Sequence, residues 1–404
     1  MNSKYLSIFF YIILIVALVY SKFMISIAML GLLSIVLFDI QMEPFSIRLH
    51  PNLRFFCSRY CTSPEYYFFG IFFLICLISG FWSDNFAYFA ERIRIRLPFL
   101  ILPFAFFNLP TLSRNDFYRL HYLLIMVLLF SAVILVAKYF TGSEEIIQAI
   151  KTGQAMPTPM NHIRYSLLIA YATIAGCIIF MFEVKNGKMK MALGIGIVLL
   201  ILFEHFLSVR TGLVSMYLSL FLILSLYIIQ KRQFIAGGIL GLCLLISPII
   251  AYHYVPSFRY KVDYTKWDWD NYRQEKNLAS SDASRMVAWE LARKSISEHP
   301  IFGVGLGDVK NTMEAHFTFS YPSLKPKLPH NQYLTIWLGT GLLGLFVFIL
   351  MIMFPVFYHR TNLFVLAISL VCILSMFVED TLENAIGTAI YTFFLFLAMR
   401  LKEC

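Results

Sequence analysis

The sequence predicts an all-α polytopic membrane protein with about twelve transmembrane helices and one long polar loop, containing short helices, between spans nine and ten. Hydrophobic residues make up 59% of the 404 residues and charged residues only 14%, against about a quarter charged in soluble domains. A helix needs roughly 20 apolar residues to cross a bilayer, and apolar runs close to that length recur along the chain. The polar stretch 255–330 interrupts this recurrence.

Twelve apolar runs are the predicted spans. They lie near residues 5–20, 23–38, 66–82, 97–109, 118–140, 163–182, 191–207, 211–229, 234–254, 332–356, 361–378 and 384–400. The first run lacks a small-residue cleavage site and the second follows almost at once, which favours a retained helical hairpin over a signal peptide. The fourth run is the shortest; it contains Pro98 and Pro103, and Pro110 follows it directly.

The distribution of Lys and Arg predicts the orientation. With twelve spans and a cytoplasmic N-terminus, the inside segments hold more Lys and Arg than the short outside loops, as the positive-inside rule requires. Both termini are therefore expected in the cytoplasm, and the net charge of +10 reflects this bias rather than nucleic-acid binding. The predicted organisation is spans one to nine over 1–254, an outside loop over 255–330, and spans ten to twelve over 331–404.

The outside loop has its own predicted structure. Its stretch "SDASRMVAWELARKSIS" (281–297) begins with helix-start residues and continues with apolar positions that suit an amphipathic helix. Pro300 would end this helix, and "GVGLG" would give a flexible turn. Because long loops without disorder-like composition are usually functional, we expect this loop to contribute to a site.

Four cationic or ionisable residues fall on the predicted outer face: Arg164, Arg210, Arg285 and His330. Arg210, in "LSVRTG", interrupts two apolar runs with almost no loop between them. A charge near hydrocarbon is costly, so it either snorkels to the headgroups or faces a polar cavity. A planar guanidinium suits a phosphate ligand. Arg164 has the alternative of an interfacial anchor, and Arg285 that of an exposed helix charge.

His330, followed by Asn331 and Gln332, stands where the polar loop meets the tenth span. A neutral imidazole can take a proton from a hydroxyl near pH 7, and the alternative is a capping or interfacial histidine. Asn331 and Gln332 are candidates to bind substrate hydroxyls, or they cap the helix. The stretch "FVEDTLEN" (377–384) is expected to be a polar hairpin between the last two spans, and the alternative is a role in orienting His330 or an arginine.

Sequence motifs typical of phosphate-binding loops and metal sites are absent from the chain. The sequence contains no P-loop, no HExxH, no DxD-type acid pair in the early outside loop of the sort that holds a divalent metal, and no cysteine pair with metal-ligand spacing. We therefore expect a site built from Arg and His, without metal or cofactor, for a leaving group that needs charge stabilisation.

These pieces, in this order, resemble the O-antigen ligase and polymerase superfamily of bacterial envelope glycosyltransferases. They are "RTG" at the eighth span, "SRMVAWELARKSISEHPIFGVGLG" in the loop and "PHNQYLTIWLGTGLLGLF" leaving it. The resemblance covers mainly residues 160–400, and the first 150 residues match only in hydropathy. It implies the C-type glycosyltransferase architecture in the bacterial inner membrane, among membrane lipids, with the site facing the periplasm.

The resemblance also implies a reaction. A glycan leaves undecaprenyl diphosphate, with Arg210 and Arg285 holding the diphosphate and His330 at the reacting centre, and Arg164, Asn331 and Gln332 binding substrate. The acceptor is a hydroxyl of the lipid A core in a ligase, or of another repeat unit in a polymerase. "RTG" and "PHNQYL" favour the ligase. Inversion by a single displacement is the simplest outcome.

A transporter or flippase for an anionic lipid-linked substrate is the alternative from another functional class. It would also place Arg in an outer cavity. The sequence shows no paired halves of the kind that many transporters have, and the long outside loop ending in a histidine favours chemistry.

Overall fold

The computed structural model describes residues 3–42, 45–142, 144, 148, 154–184, 186–232, 234–274 and 278–401. The two ends that the sequence predicts to be cytoplasmic, 1–2 and 402–404, lie outside the described residues. The helices are α1 Ser3–Tyr20, α2 Lys22–Leu37, α3 Leu53–Cys61, α4 Pro64–Ile78, α5 Phe86–Asn108, α6 Arg114–Thr141, α7 His162–Phe182, α8 Gly187–Leu207, α9 Arg210–Lys231, α10 Phe234–Tyr254, α11 Pro256–Arg273, α12 Ser281–Glu298, α13 Val309–Ser320, α14 Gln332–Tyr358, α15 Leu363–Met376 and α16 Ala385–Met399.

Each of the twelve predicted apolar runs coincides with a helix, which confirms the all-α polytopic fold. Among the described residues, seven helices are long and apolar enough to cross a membrane, and four shorter apolar helices, α2, the first part of α9, α15 and α16, accompany them. Helix α5 falls in neither group. It begins at Phe86, well before the predicted run 97–109, and its first turns carry a cluster of charges (Glu91, Arg92, Arg94, Arg96).

Helix α5 continues through Pro98 and Pro103 and ends at Asn108, just before Pro110. A proline inside a helix removes one backbone hydrogen bond. Such prolines are tolerated in membrane helices because neighbouring helices satisfy the freed groups, and α4 and α16 both pack on α5.

The sequence analysis missed a small β-hairpin in the loop between α2 and α3. Strands β1 (Phe38–Met42) and β2 (Phe45–Leu49) pair antiparallel, with Phe38 opposite Leu49. Their sequences, "FDIQM" and "FSIRL", alternate apolar and polar residues with a period of two, which is typical of strands. The signal was present but short beside the long apolar runs.

The chain divides into two compact units, each discontinuous in sequence. The first unit comprises residues 1–120, 284–369 and 376–404, and the second comprises 121–283 and 370–375. In the first unit α16 is almost wholly buried, and α4 packs on α5 and α14. In the second unit α7 is the most buried span and packs on α8 and α9.

The long polar segment is largely helical. The predicted amphipathic helix is confirmed as α12, which ends at Glu298, two residues before Pro300. Helices α11 and α13 are further helices of this loop, for which the sequence analysis gave no bounds. In the first unit the apolar face of α12 packs against α13 and the start of α14 in one buried cluster: Val287, Ala288, Leu291, Ala292, Ile296, Val309, Met313, Phe317 and Leu338. Burial of this face gives the segment a core of its own.

The turn after Pro300 packs closely against a break in α14, and a glycine lies on each side of this contact. Gly303 has φ 70° and Gly341 has φ 70° and ψ −172°, so α14 is interrupted at Gly341. Across this contact Leu342 N donates to Pro300 O at 3.0 Å, and Val304 N donates to Leu338 O at 2.8 Å. The first turns of α14, which follow His330, are thereby fixed to the polar segment.

We expect Gly341→Ala to destabilise the protein. The conformation of Gly341 is one that almost only glycine adopts, at a cost of about 1–3 kcal/mol for other residues, and a Cβ there would overlap the Ile301 carbonyl oxygen. Because that neighbour is backbone, it cannot rotate away. Thermal unfolding in detergent measures the loss.

Gly241→Ala in α10 is the matched control, since a Cβ at Gly241 would meet no atom within 4 Å. The free energy of unfolding of that variant should lie within about 1 kcal/mol of the parent value. If Gly341→Ala unfolds at the same temperature as Gly241→Ala, the break in α14 does not require glycine.

Candidate active site

Three carboxylates lie in the acidic turn, residues 377–384, between α15 and α16. Glu379, Asp380 and Glu383 are all buried, although buried carboxylates are uncommon unless they are paired. Each has cationic or hydrogen-bonding partners in the first unit. The acidic turn is thus a buried cluster of ion pairs and hydrogen bonds, whereas the sequence analysis favoured a polar hairpin that only connects two spans.

Arg285 and His330 meet at one carboxylate of this turn. The Arg285 guanidinium forms an ion pair with Glu379 Oε1, and His330 Nδ1 lies 3.8 Å from Glu379 Oε2. The Arg285 side chain is 22% exposed and the His330 side chain 32%. The structure therefore brings a fixed guanidinium and an accessible imidazole together, as an anionic leaving group and a proton transfer would require.

The backbone of His330 is held by a second carboxylate. His330 has φ 49°, in the left-handed region, and its N–H donates to Asp380 Oδ2 at 3.0 Å. Thr335 Oγ1 donates to Asp380 Oδ1 at 2.6 Å. Burial raises the pKa of Asp380 above its ordinary value, while the charge of His330 and the bond from Thr335 oppose that shift. Asp380 thus orients the main chain at His330.

Asn331 and Gln332 have engaged side chains. Asn331 Oδ1 caps α14 by accepting from Tyr333 N at 3.0 Å, and its Nδ2 donates to Phe377 O at 2.9 Å. Gln332 is fully buried; its Oε1 accepts from Leu382 N at 2.7 Å and its Nε2 donates to Glu383 Oε1 at 2.9 Å. Substrate binding by these residues stays a prediction, and the geometry favours a supporting role for Gln332.

Two arginines of α5 complete the polar cluster. Arg96, only 1% exposed, forms an ion pair with Glu383 Oε1. Arg92 Nη1 donates to Glu383 O at 3.0 Å. The predicted third and fourth spans, 66–82 and 97–109, leave both arginines in an outside loop between them. Their spacing of four in "ERIRIRLPFL" places both on one helix face and could have indicated a shared partner.

Arg210, the first residue of α9, lies in the second unit and binds Asp282. Its Nη2 donates to Asp282 Oδ1 at 2.9 Å, its Nη1 contacts Oδ2, and the same Nη1 donates to Thr265 Oγ1 at 3.0 Å. Its side chain is 37% exposed. The guanidinium is therefore held in a bidentate pair, a geometry that also suits phosphate oxygens.

Helix α11 places a second cation near Arg210. Lys261 lies one turn before Thr265, whose hydroxyl donates to Lys261 O at 2.7 Å. Burial, and then the charge of Arg210, lowers the pKa of Lys261 to about 8, and Asp282 opposes this shift. Arg210 and Lys261 thus lie near Asp282, and a second carboxylate, Asp268, accepts from Asp282 N at 2.8 Å.

The glycine of "RTG" has a packing reason. Gly212 lies against the buried pair of Ser166 and Glu204, and a Cβ at this position would collide with both side chains.

Arg164, near the start of α7, is 5% exposed and so does not have the exposure of an interfacial anchor. Arg164 and Arg210 belong to the second unit, whereas Arg285, His330, Asn331 and Gln332 belong to the first.

The described residues offer no cluster of metal-ligating side chains. No group of three or more His, Cys, Asp or Glu residues among them could hold a metal ion.

Two comparisons with known proteins bear on this site. Residues 195–349 match the family model described as O-Antigen ligase; this segment includes Arg210, Arg285 and His330 and ends before the acidic turn. A Haemophilus influenzae protein, described as uncharacterized, is 31% identical over 241 residues, or 55% of this chain and 57% of that protein. The chain thus matches just over half the length of this curated relative. The resemblance drawn from the motifs is confirmed by the family match.

Proposed function

We propose, from the confirmed resemblance of residues 195–349 to the O-antigen ligase and polymerase superfamily, that this multi-pass membrane protein is an O-antigen ligase-type glycosyltransferase. It takes a glycan from undecaprenyl diphosphate and transfers it to a hydroxyl of the lipid A core. The site faces the periplasm from the bacterial inner membrane, both termini are cytoplasmic, and neither a metal nor a cofactor takes part.

The observation that carries this proposal is the meeting of Arg285 and His330 at Glu379. The acceptor oxygen attacks the anomeric carbon while the bond from that carbon to the diphosphate oxygen breaks, and its electron pair stays on the diphosphate. The guanidinium of Arg285 stabilises the charge that develops on this leaving group. The site therefore needs a cation and a proton acceptor close together, and both are present.

His330 takes the proton of the acceptor hydroxyl in this mechanism. Since Nδ1 lies toward Glu379 at 3.8 Å, Nε2 is the nitrogen that accepts it. The Glu379 carboxylate then stabilises the imidazolium that forms. The products are a glycosidic bond with inverted configuration, undecaprenyl diphosphate and the proton held by His330, which the imidazolium then releases to water, so atoms and charges balance.

The role proposed for Arg210 is diphosphate binding, and Lys261 gives that role a pH dependence. An ammonium group is charged below its pKa, so the positive charge of Lys261 is lost as the pH rises through about 8. We expect donor affinity to weaken over that range in the parent, and to persist in Lys261→Arg, whose guanidinium stays charged.

Donor KM, measured on both sides of pH 8, tests this expectation. Lys266→Arg, an exposed change on the same helix, should keep the pH dependence of the parent. If Lys261→Arg also keeps it, Lys261 does not contribute to donor binding.

In vitro transfer tests the proposed function. Purified protein in nanodiscs is incubated with undecaprenyl-diphosphate-linked glycan and lipid A core, without added metal. We expect a core-linked product. Lengthened lipid-linked glycan without core transfer would identify a polymerase instead. No product of either kind, together with movement of the lipid-linked glycan across the bilayer, would identify a transporter.

A further inference from the structure

A buried ionic network lies beneath the acidic turn. We name Arg96, Glu383 and Gln332 the brace. Both Arg96 Nη2 and Gln332 Nε2 donate to the same atom, Glu383 Oε1. Arg96 Nη1 donates to Arg92 O at 3.1 Å, which fixes the fork of the guanidinium on its own helix. The brace thus holds the turn against α5 on one side and against α14 on the other.

The brace connects to His330 through short paths. Gln332 follows His330 by two residues, and its Oε1 also accepts from Leu382 N at 2.7 Å. Glu383 N donates to Asp380 O at 3.2 Å, and Asp380 Oδ2 accepts from His330 N at 3.0 Å. The backbone of His330 and the carboxylate that receives its N–H are therefore both tied to the brace.

The chemistry of the brace favours a positioning role over two alternatives. Arg96 is 1% exposed, so it cannot touch a substrate without a rearrangement of the helices around it. Stability alone is a weak reason for a buried ion pair, because its desolvation cost offsets most of its attraction. A charged pair with several hydrogen bonds does, however, fix one geometry.

We infer that Arg96 is a positioning residue for His330, acting through Glu383 and the acidic turn. The inference rests on the proposed function, in which His330 takes the proton of the acceptor. A loosened brace would let the turn and the left-handed backbone of His330 shift. A displacement of about 1 Å at a reacting group can lower a rate by about 100-fold, while the donor, held by other groups, still binds.

The first experiment measures kcat and donor KM for Arg96→Lys, with thermal unfolding alongside. Lysine keeps the charge but lacks the fork that reaches Glu383 and Arg92 together. We expect kcat to fall about 10- to 100-fold with donor KM unchanged. Arg94→Lys is the matched control on the same helix, at an exposed position, and should equal the parent. If Arg96→Lys also equals the parent, the inference is overturned.

The second experiment combines Arg96→Lys with His330→Asn. A residue that acts through His330 has no further effect once the imidazole is gone, so the double variant should match His330→Asn. If Arg96→Lys lowers kcat by the same factor in the parent and in His330→Asn, the role of Arg96 is purely structural and the inference is overturned. Normal transfer by His330→Asn alone would instead overturn the proposed function, so the two failures are distinguishable. If Arg96→Lys does not fold, the isosteric Glu383→Gln takes its place in both experiments with the same expected results.

Discussion

Replacing His330 with asparagine is expected to lower glycan transfer by about 10²- to 10⁴-fold, the usual contribution of a general base. Asparagine removes the proton acceptor but tolerates the left-handed backbone found at this position. Its own N–H can still donate to Asp380, as that of His330 does. The measurement is the initial rate of product formation, with thermal unfolding as a check on folding.

The choice of asparagine separates chemistry from strain. His330→Ala should lose transfer as well, but alanine pays about 1–2 kcal/mol in the left-handed region, so its loss alone would be ambiguous. His299→Ala, at an exposed position of the same segment, is the matched control and should transfer at the parent rate. Normal transfer by a folded His330→Asn would refute the role of His330 as the base.

The spans were predictable because hydropathy over roughly 20 residues dominates every local preference in a bilayer. Helix α5 shows where that signal stops. Its charged first turns lie in the first unit against the acidic turn, so a window that rejects charges places the helix start too late. Arg92 and Arg96 bind Glu383, which lies almost 290 residues away in the chain, and hydropathy carries no information about such a contact.

The candidate site was predictable in its residue types but not in its connections. The sequence singled out Arg285 and His330, and the structure brings them together at Glu379. That a single carboxylate joins them depends on the packing of α12, the start of α14 and the turn before α16. This packing depends on tertiary contacts such as those at the break in α14 at Gly341. Such contacts leave no periodic pattern of apolar residues in the sequence. The brace was missed for the same reason.

Removing the charge of Arg210 is expected to weaken donor binding by about 10- to 100-fold, the range for a lost hydrogen bond to a charged group. Arg210→Gln abolishes the charge, whereas Arg210→Lys keeps a charge without the bidentate fork. We therefore expect the full increase in donor KM of about 10- to 100-fold for Arg210→Gln and a smaller increase for Arg210→Lys. Full activity of Arg210→Lys would exclude a bidentate requirement and leave only a requirement for charge.

The pairing of Arg210 with Asp282 offers another explanation for any loss, because Arg210→Gln leaves a carboxylate without its cation, which is itself destabilising. The double variant Arg210→Gln/Asp282→Asn removes both charges and so removes that penalty. If Arg210 binds the diphosphate, donor binding stays weak in the double variant although its stability recovers. If Arg210 only neutralises Asp282, donor binding recovers together with stability. The second outcome would leave Arg285 as the arginine proposed to meet the leaving group.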